Sequence, residues 1–271
     1  MFISHCHVGA VGFGPKRTQP EVGTLPDLNR LLEAAGVDRA VVFAPFPAEG
    51  LGWGGEAAKR FDDPNEWLCK ELKRYPHLVG FATINPRESD APQRLQKAVE
   101  AGLVGAKVHP PVQGLIINDP AIDPFFEAAE ELKIPIHIHT GVHGGFLRHY
   151  EPILLDEVAQ RHPDLAIIID HIGGYALFDQ ALAVLHNNER CYVGLTQCSG
   201  RDPRYYLPPE RVDLLLRTVG AERIIYGLDY PWNPDNLAAL RDDLAWVRGW
   251  NISPPAQERI LGGNIAALIQ R

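Results

Sequence analysis

No long apolar run occurs anywhere in these 271 residues. Stretches such as AVVFA (40–44) and LAIII (165–169) fall far short of the ~18 residues that a membrane-spanning helix needs. A basic excess is missing too. The 26 Lys and Arg stand against 34 Asp and Glu, a formal net charge of −8, which argues against nucleic acid or an anionic membrane surface as the main partner. No basic stretch interleaved with aromatics offers a local exception. The four cysteines (Cys6, Cys69, Cys191, Cys198) are scattered, with neither a disulfide-framework nor a metal-knuckle spacing. They read as reduced thiols. The residues after Met1 show no basic n-region or apolar h-region of a targeting segment, so the expected location is cytoplasmic. Linkers, repeats and low-complexity runs are absent as well, and one domain over residues 1–271 is expected.

What is present is alternation. Short β-rich runs recur at 2–8, 39–45, 78–84, 103–109, 134–140, 165–171, 191–197 and 223–229. Near-continuous Val, Ile and Leu within them suit parallel strands covered on both faces. Amphipathic segments separate them. TLPDLNRLLEAAG puts Leu25, Leu28, Leu31, Leu32 and Ala35 on one stripe and ends at Gly36, a natural helix stop. DPFFEAAEELK offers Asp123 as N-cap with Pro124 at the first helical position. Helices are also expected up to Gly220, from beside Pro234, and in the closing segment PPAQERILGGNIAALIQR. Eight strands, each followed by a helix, favour a closed α/β barrel of the (β/α)8 TIM type over an open doubly wound sheet. The loop from Pro45 to Asn65, with Phe46, Trp53 and Phe61 among four glycines, is the one long connection, a candidate lid, substrate wall or plain surface loop.

A TIM barrel does its chemistry at the C-terminal ends of its strands. Six of the eleven histidines lie there: His5, His7, His109, His137, His139 and His171. His5 and His7 are two apart on the first strand and share a face. Lys107 and His109 do the same on the fourth, His137 and His139 on the fifth. The sixth strand ends in Asp170-His171-Ile-Gly-Gly and the eighth in Gly227-Leu228-Asp229-Tyr230-Pro231-Trp232. Each buried imidazole needs a polar partner, and a divalent cation partners several at once. Imidazole with carboxylate suits zinc first, with manganese, iron, cobalt or nickel also compatible.

ISHCHVG, GAKVHPP, PIHIHTG, IIIDHIGG, IIYGLDYPW and ERILGGNIAAL together resemble the amidohydrolase superfamily, specifically its amidohydrolase-related (amidohydrolase 2) branch of metal-dependent TIM barrels. The resemblance implies that His5, His7, His139 and Asp229 hold one divalent metal at a C-terminal-face site. It implies that Asp229 takes the proton of an attacking water, that His171 polarises substrate or acts as acid/base, and that His137 sits deeper, as a supporting residue. Two departures stand out. Ile3 occupies a place where members often have an aspartate, and Lys107 lies where binuclear relatives carry a carboxylated lysine bridging a second metal. One metal is the favoured reading, with His109 lining the pocket and Lys107 either an uncarboxylated barrel residue or a substrate-binding partner for a carboxylate. Trp232 and Tyr230 are wall candidates, although packing serves equally for them. Arg148, Arg201 and Arg204 stand in loops where a guanidinium could grip a substrate carboxylate. His143 and His149, beside two glycines, read as part of a flexible loop and not as ligands.

The resemblance implies a hydrolase in which activated water attacks the carbonyl of an amide, lactone or ester in a small, carboxylate-bearing molecule. Its alternative is a non-oxidative decarboxylase of an aromatic or dienoic acid, built on the same ligands; the short chain leaves little room for the subdomain common in such lyases, which favours hydrolysis. A non-catalytic metal-binding barrel is the third reading, and the completeness of the motif set argues against it. The expected partner is a small-molecule substrate, with no nucleic acid and no membrane, and the resemblance allows a homodimer.

Overall fold

The computed structural model describes residues 1–11, 21–46 and 62–270. Its strands are β1 (Phe2–His7), β2 (Ala10–Val11), β3 (Glu21–Val22), β4 (Arg39–Phe43), β5 (Leu78–Thr83), β6 (Ala106–Val108), β7 (Ile136–His139), β8 (Ile167–Asp170), β9 (Cys191–Thr196) and β10 (Ile224–Tyr230). Eight of them close a parallel barrel in the order β1-β10-β9-β8-β7-β6-β5-β4. This is a single (β/α)8 barrel. The antiparallel ribbon of β2 with β3 was not expected from the pattern. Each strand alternates between two environments. Ile3, Ala40, Val42, Ala106, Ile136, Ile138, Ile167 and Ile169 face the helices, in the large outer core. Phe2, Val41, Phe43, Phe81, Ile168 and Ile225 fill the barrel's inner layer, where Ile265 of the C-terminal helix Asn264–Ile269 joins them.

The helices follow from their caps. Thr24 accepts from the Asp27 amide at the start of Leu25–Ala35, and Gly36, at φ 65°, ends it. Leu25, Leu28 and Leu32 are its buried stripe, while Leu31 and Ala35 pack at the margin. Asp235 caps Asn236–Arg248 through the amides of Leu237 and Ala238. The expectation for Asp123 is corrected: Asp123 is the first residue of the helix Asp123–Glu131, because a 3-10 turn at Pro120–Ile122, capped by Asp119, runs straight into it. No helix among the described residues is long and apolar enough to cross a membrane. The candidate lid loop falls, from 47 to 61, outside the described residues.

One irregularity aims the first strand. Simple alternation from Phe2 would turn His5 outward with Ile3. Instead the register of β1 shifts between Ser4 and Cys6, and His5 adopts φ 71°. Such a bulge re-phases the residues beyond it. His5 and His7 then face the barrel axis, and Cys6 packs into the outer core.

Candidate metal centre

The mouth of the barrel gathers imidazoles and carboxylates from the ends of five strands, β1, β6, β7, β8 and β10. His5 Nε2 lies 3.2 Å from His7 Nε2 and 3.2 Å from Asp229 Oδ1; His7 Nε2 lies 3.6 Å from the same oxygen. His171, just past β8, has its ring 5.4 Å from that of His5. Ligand atoms of His5, His171 and Asp229 all fall within 4.8 Å of one another. Gln197 donates to Asp229 Oδ2 at 2.8 Å, holding the other carboxylate oxygen. His5, His171, Gln197 and Asp229 all have positive φ without being glycine. Strained backbone of this kind, held by the surrounding fold, concentrates where side chains must be aimed.

Hydrogen bonds set the tautomers. The Thr196 carbonyl accepts from His171 Nδ1 at 3.0 Å, so the proton of the neutral ring sits on Nδ1 and Nε2 is basic. The Gly141 carbonyl, 2.6 Å from His139 Nε2, fixes the opposite tautomer there. Burial pushes His171 down to about 4, which keeps it neutral at pH 7. His7, His109 and His139 are likewise lowered well below the usual histidine value, again by burial first. His5 alone is raised: burial works against its charge, as does Lys107, but Asp170 and Asp229 together outweigh them. Asp229 would also be raised by burial, yet His5, His171 and His7 hold it well below the usual carboxylate range.

This donor set fits a divalent cation. Two nitrogens bound at ~2.0–2.1 Å to a tetrahedral centre stand about 3.3 Å apart, close to the His5–His7 separation. A neutral His7 and an ionised Asp229 are the protonation states that a metal requires, and His5, whose charged form Asp170 and Asp229 favour, must bind it as the neutral ring. His139 stands beside this group, its ring 4.6 Å from His171. It also stacks on His109 at 3.9 Å, and with His109 and His143 it makes a second gathering of ligand atoms. His143 was read as loop flexibility; the structure packs it into the mouth, its Nε2 3.3 Å from His109 Nε2 and its ring against Tyr150.

Below the mouth lies a charged floor. Lys107, fully buried, pairs through Nζ with Asp170 Oδ2, while Asp170 Oδ1 is 2.6 Å from His137 Nδ1 and 3.2 Å from His5 Nδ1. Lys107 as a substrate-binding residue is therefore corrected: its ammonium is sealed in the barrel and spent on Asp170. The same pairing argues against a carboxylated Lys107, whose negative charge would meet the Asp170 carboxylate.

The loop arginines also move. Arg201, read as a carboxylate grip, makes a two-pronged ion pair with Asp243 at 2.6 and 2.9 Å. Arg204 pairs with Asp202, and Arg148 is exposed with its guanidinium over Phe146. His149 donates through Nδ1 to the Leu115 carbonyl. Tyr230 is buried in the outer core with its hydroxyl donating to the Thr24 carbonyl, so it packs and does not line the site. Trp232 stays near the mouth, 6.1 Å from His7, and Phe46 bridges His7 and His109 at 5.9 and 5.6 Å. Sequence reasoning gave no role to Asp170, Gln197, Tyr150 or Tyr205, whose ring stacks on His171 at 4.7 Å.

Solved structures of the same architecture align along nearly the whole chain. An uncharacterised TIM-barrel protein from Bordetella bronchiseptica shares 20% identity at a TM-score of 0.74, over 98% of this chain and 97% of that one. A dihydroxybenzoic acid decarboxylase from Polaromonas, with bound manganese and the inhibitor 2-nitroresorcinol, shares 18% at 0.72, over 99% and 96%. A probable 2-pyrone-4,6-dicarboxylic acid hydrolase from Acinetobacter baumannii, with citric acid bound, shares 16% at 0.67, over 99% and 98%. The extent of the match is the same for decarboxylase and hydrolase, so these likenesses establish the barrel and leave the reaction to the site. The family model described as Amidohydrolase matches residues 4–271, and the chain belongs to that family.

Proposed function

We propose that residues 1–271 form one catalytic domain, a metal-dependent hydrolase of amides, lactones or esters in small, carboxylate-bearing molecules. The observation that carries this reading is the Asp229 carboxylate facing the Nε2 atoms of both His5 and His7. His5, His7 and Asp229, with His139 on the flank, are the residues that would hold the metal; zinc suits them first and manganese is compatible. When bound, such a cation supplies an acidified water and a Lewis acid for a carbonyl oxygen.

The chain's own residues do the rest. Asp229, ionised and steadied by Gln197, accepts the proton of the attacking water. His171 carries its proton on Nδ1, so its basic Nε2 takes that proton on from Asp229 and passes it to the leaving group. Of the two roles that the resemblance allowed, this takes acid/base over polarising the substrate, because a neutral His171 has no proton on Nε2 to donate. Phe46, Trp232 and Tyr205 flank the imidazoles and restrict water around the substrate.

A second reading is decarboxylation, the activity named for the manganese-bearing protein that aligns over 99% of this chain. There the same acid/base pair would return a proton to the carbon that loses CO2. Incubating the metal-loaded protein with a panel of lactones, amides, esters and hydroxybenzoic acids separates the two. A new carboxylic acid supports hydrolysis, and released CO2 supports the lyase. Turnover of none of them with any reconstituting metal would favour the non-catalytic barrel.

A further inference from the structure

We propose that Asp170 is a positioning residue of the metal site, fixing His5 so that its Nε2 faces the cation; the inference rests on the metal-site reading above. Asp170 is wholly buried at the end of β8. Its Oδ1 lies 3.2 Å from His5 Nδ1, and Thr196 Oγ1 lies 3.3 Å from the same nitrogen. A carboxylate only accepts, so the proton of a neutral His5 stays on Nδ1 and its lone pair stays on Nε2. That Nε2 is the atom 3.2 Å from both His7 Nε2 and Asp229 Oδ1. Carboxylates behind metal-binding imidazoles fix ring orientation and raise basicity in this way.

Lys107 and His137 hold the anchor in place. Lys107 takes Oδ2, and His137 donates to Oδ1 at 2.6 Å, with its own ring wedged against Phe43 and Phe81. Lys107 thereby supplies the cation at Asp170, although His5, His137 and Asp170 could otherwise gather a metal themselves. A buried ion pair can often be replaced by apolar residues without loss of stability. Stability therefore does not explain a lysine and an aspartate inside a barrel; one carboxylate oxygen held against His5 does. Gly227 completes the arrangement, since a Cβ there would meet His5 Cβ at 2.8 Å.

The test compares the wild type with Lys107→Met and with Lys107→Met/Asp170→Leu. Zn2+ affinity is read by competition with a chromophoric chelator, and the melting temperature is read on the same samples without metal. Lys107→Met leaves a carboxylate without its cation, so it melts lowest, yet it keeps the bond to His5 and binds Zn2+ within a few-fold of wild type. The double variant has no buried charge and melts higher than the single one, but its Zn2+ affinity falls ~10–100-fold. Opposite orderings of stability and affinity are the signature of positioning. Zn2+ affinity in the double variant equal to wild type, or rising with melting temperature across the variants, overturns the inference alone. Absence of Zn2+ binding in the wild type overturns the metal-site reading together with it. If Lys107→Met does not fold, the double variant against wild type carries the same comparison.

Discussion

Replacing Arg201 by alanine separates two accounts of this loop. As a substrate grip, Arg201 would affect binding and leave stability alone. The structure instead sets its guanidinium on Asp243 with two bonds, its side chain 25% exposed and that of Asp243 2%. Asp243 also accepts from the Tyr226 hydroxyl at 3.0 Å, which ties the helix Asn236–Arg248 to β10. Removing the arginine leaves a buried carboxylate with one neutral donor. Breaking a buried pair typically costs 3–5 kcal/mol; with a quarter of the arginine in contact with water, about 3 kcal/mol is the expected loss. At ~2–4 °C per kcal/mol for a chain of this size, the melting temperature should fall by about 6–12 °C. The assay is thermal unfolding followed by circular dichroism, alongside KM on any substrate found. An Arg201→Ala/Asp243→Leu variant should regain part of the loss, because the stranded charge goes too. An unchanged melting temperature with a raised KM would refute the structural account and restore Arg201 to the substrate.

Other expectations are equally specific. His139→Ala should lower bound metal, whereas His171→Gln should keep the metal and lose ~10²–10⁴-fold in kcat; the reverse split, read by metal analysis and kinetics, would give the fourth ligand position to His171. Gly227→Ala should cost ~1–3 kcal/mol by overpacking and also weaken metal binding, because its Cβ meets both His5 Cβ and Thr196 Oγ1 at 2.8 Å. Dialysis against a chelator should abolish turnover, and added zinc or manganese should restore it; turnover that survives chelation counts against metal dependence.

The barrel was legible because its signals are local. Parallel strands carry their own apolar runs, and six of the histidines sit where such strands end, so composition and position agreed. Strand ends were read wide by up to three residues, as at 103–109 against Ala106–Val108, since Val and Leu continue past the last ladder pair. The floor of the site was not legible. Lys107 and Asp170 stand 63 residues apart, on strands separated by β7, and neither shows its partner in the sequence. A lysine on the inward face of a buried strand was the available clue, since an enclosed ammonium requires a carboxylate. The arginine readings failed for a related reason. A loop arginine shows its charge in the sequence, whereas the acid that neutralises it, here Asp243, sits on a helix 42 residues further on.

The central claim is that His5, His7 and Asp229 hold a metal, and metal content per chain tests it most directly. Plasma mass spectrometry on protein purified without chelator or affinity tag should find about one zinc or manganese per wild-type chain, and far less on a folded Asp229→Ala variant. No metal on the wild type, even after reconstitution, or equal metal on both proteins, would contradict the account.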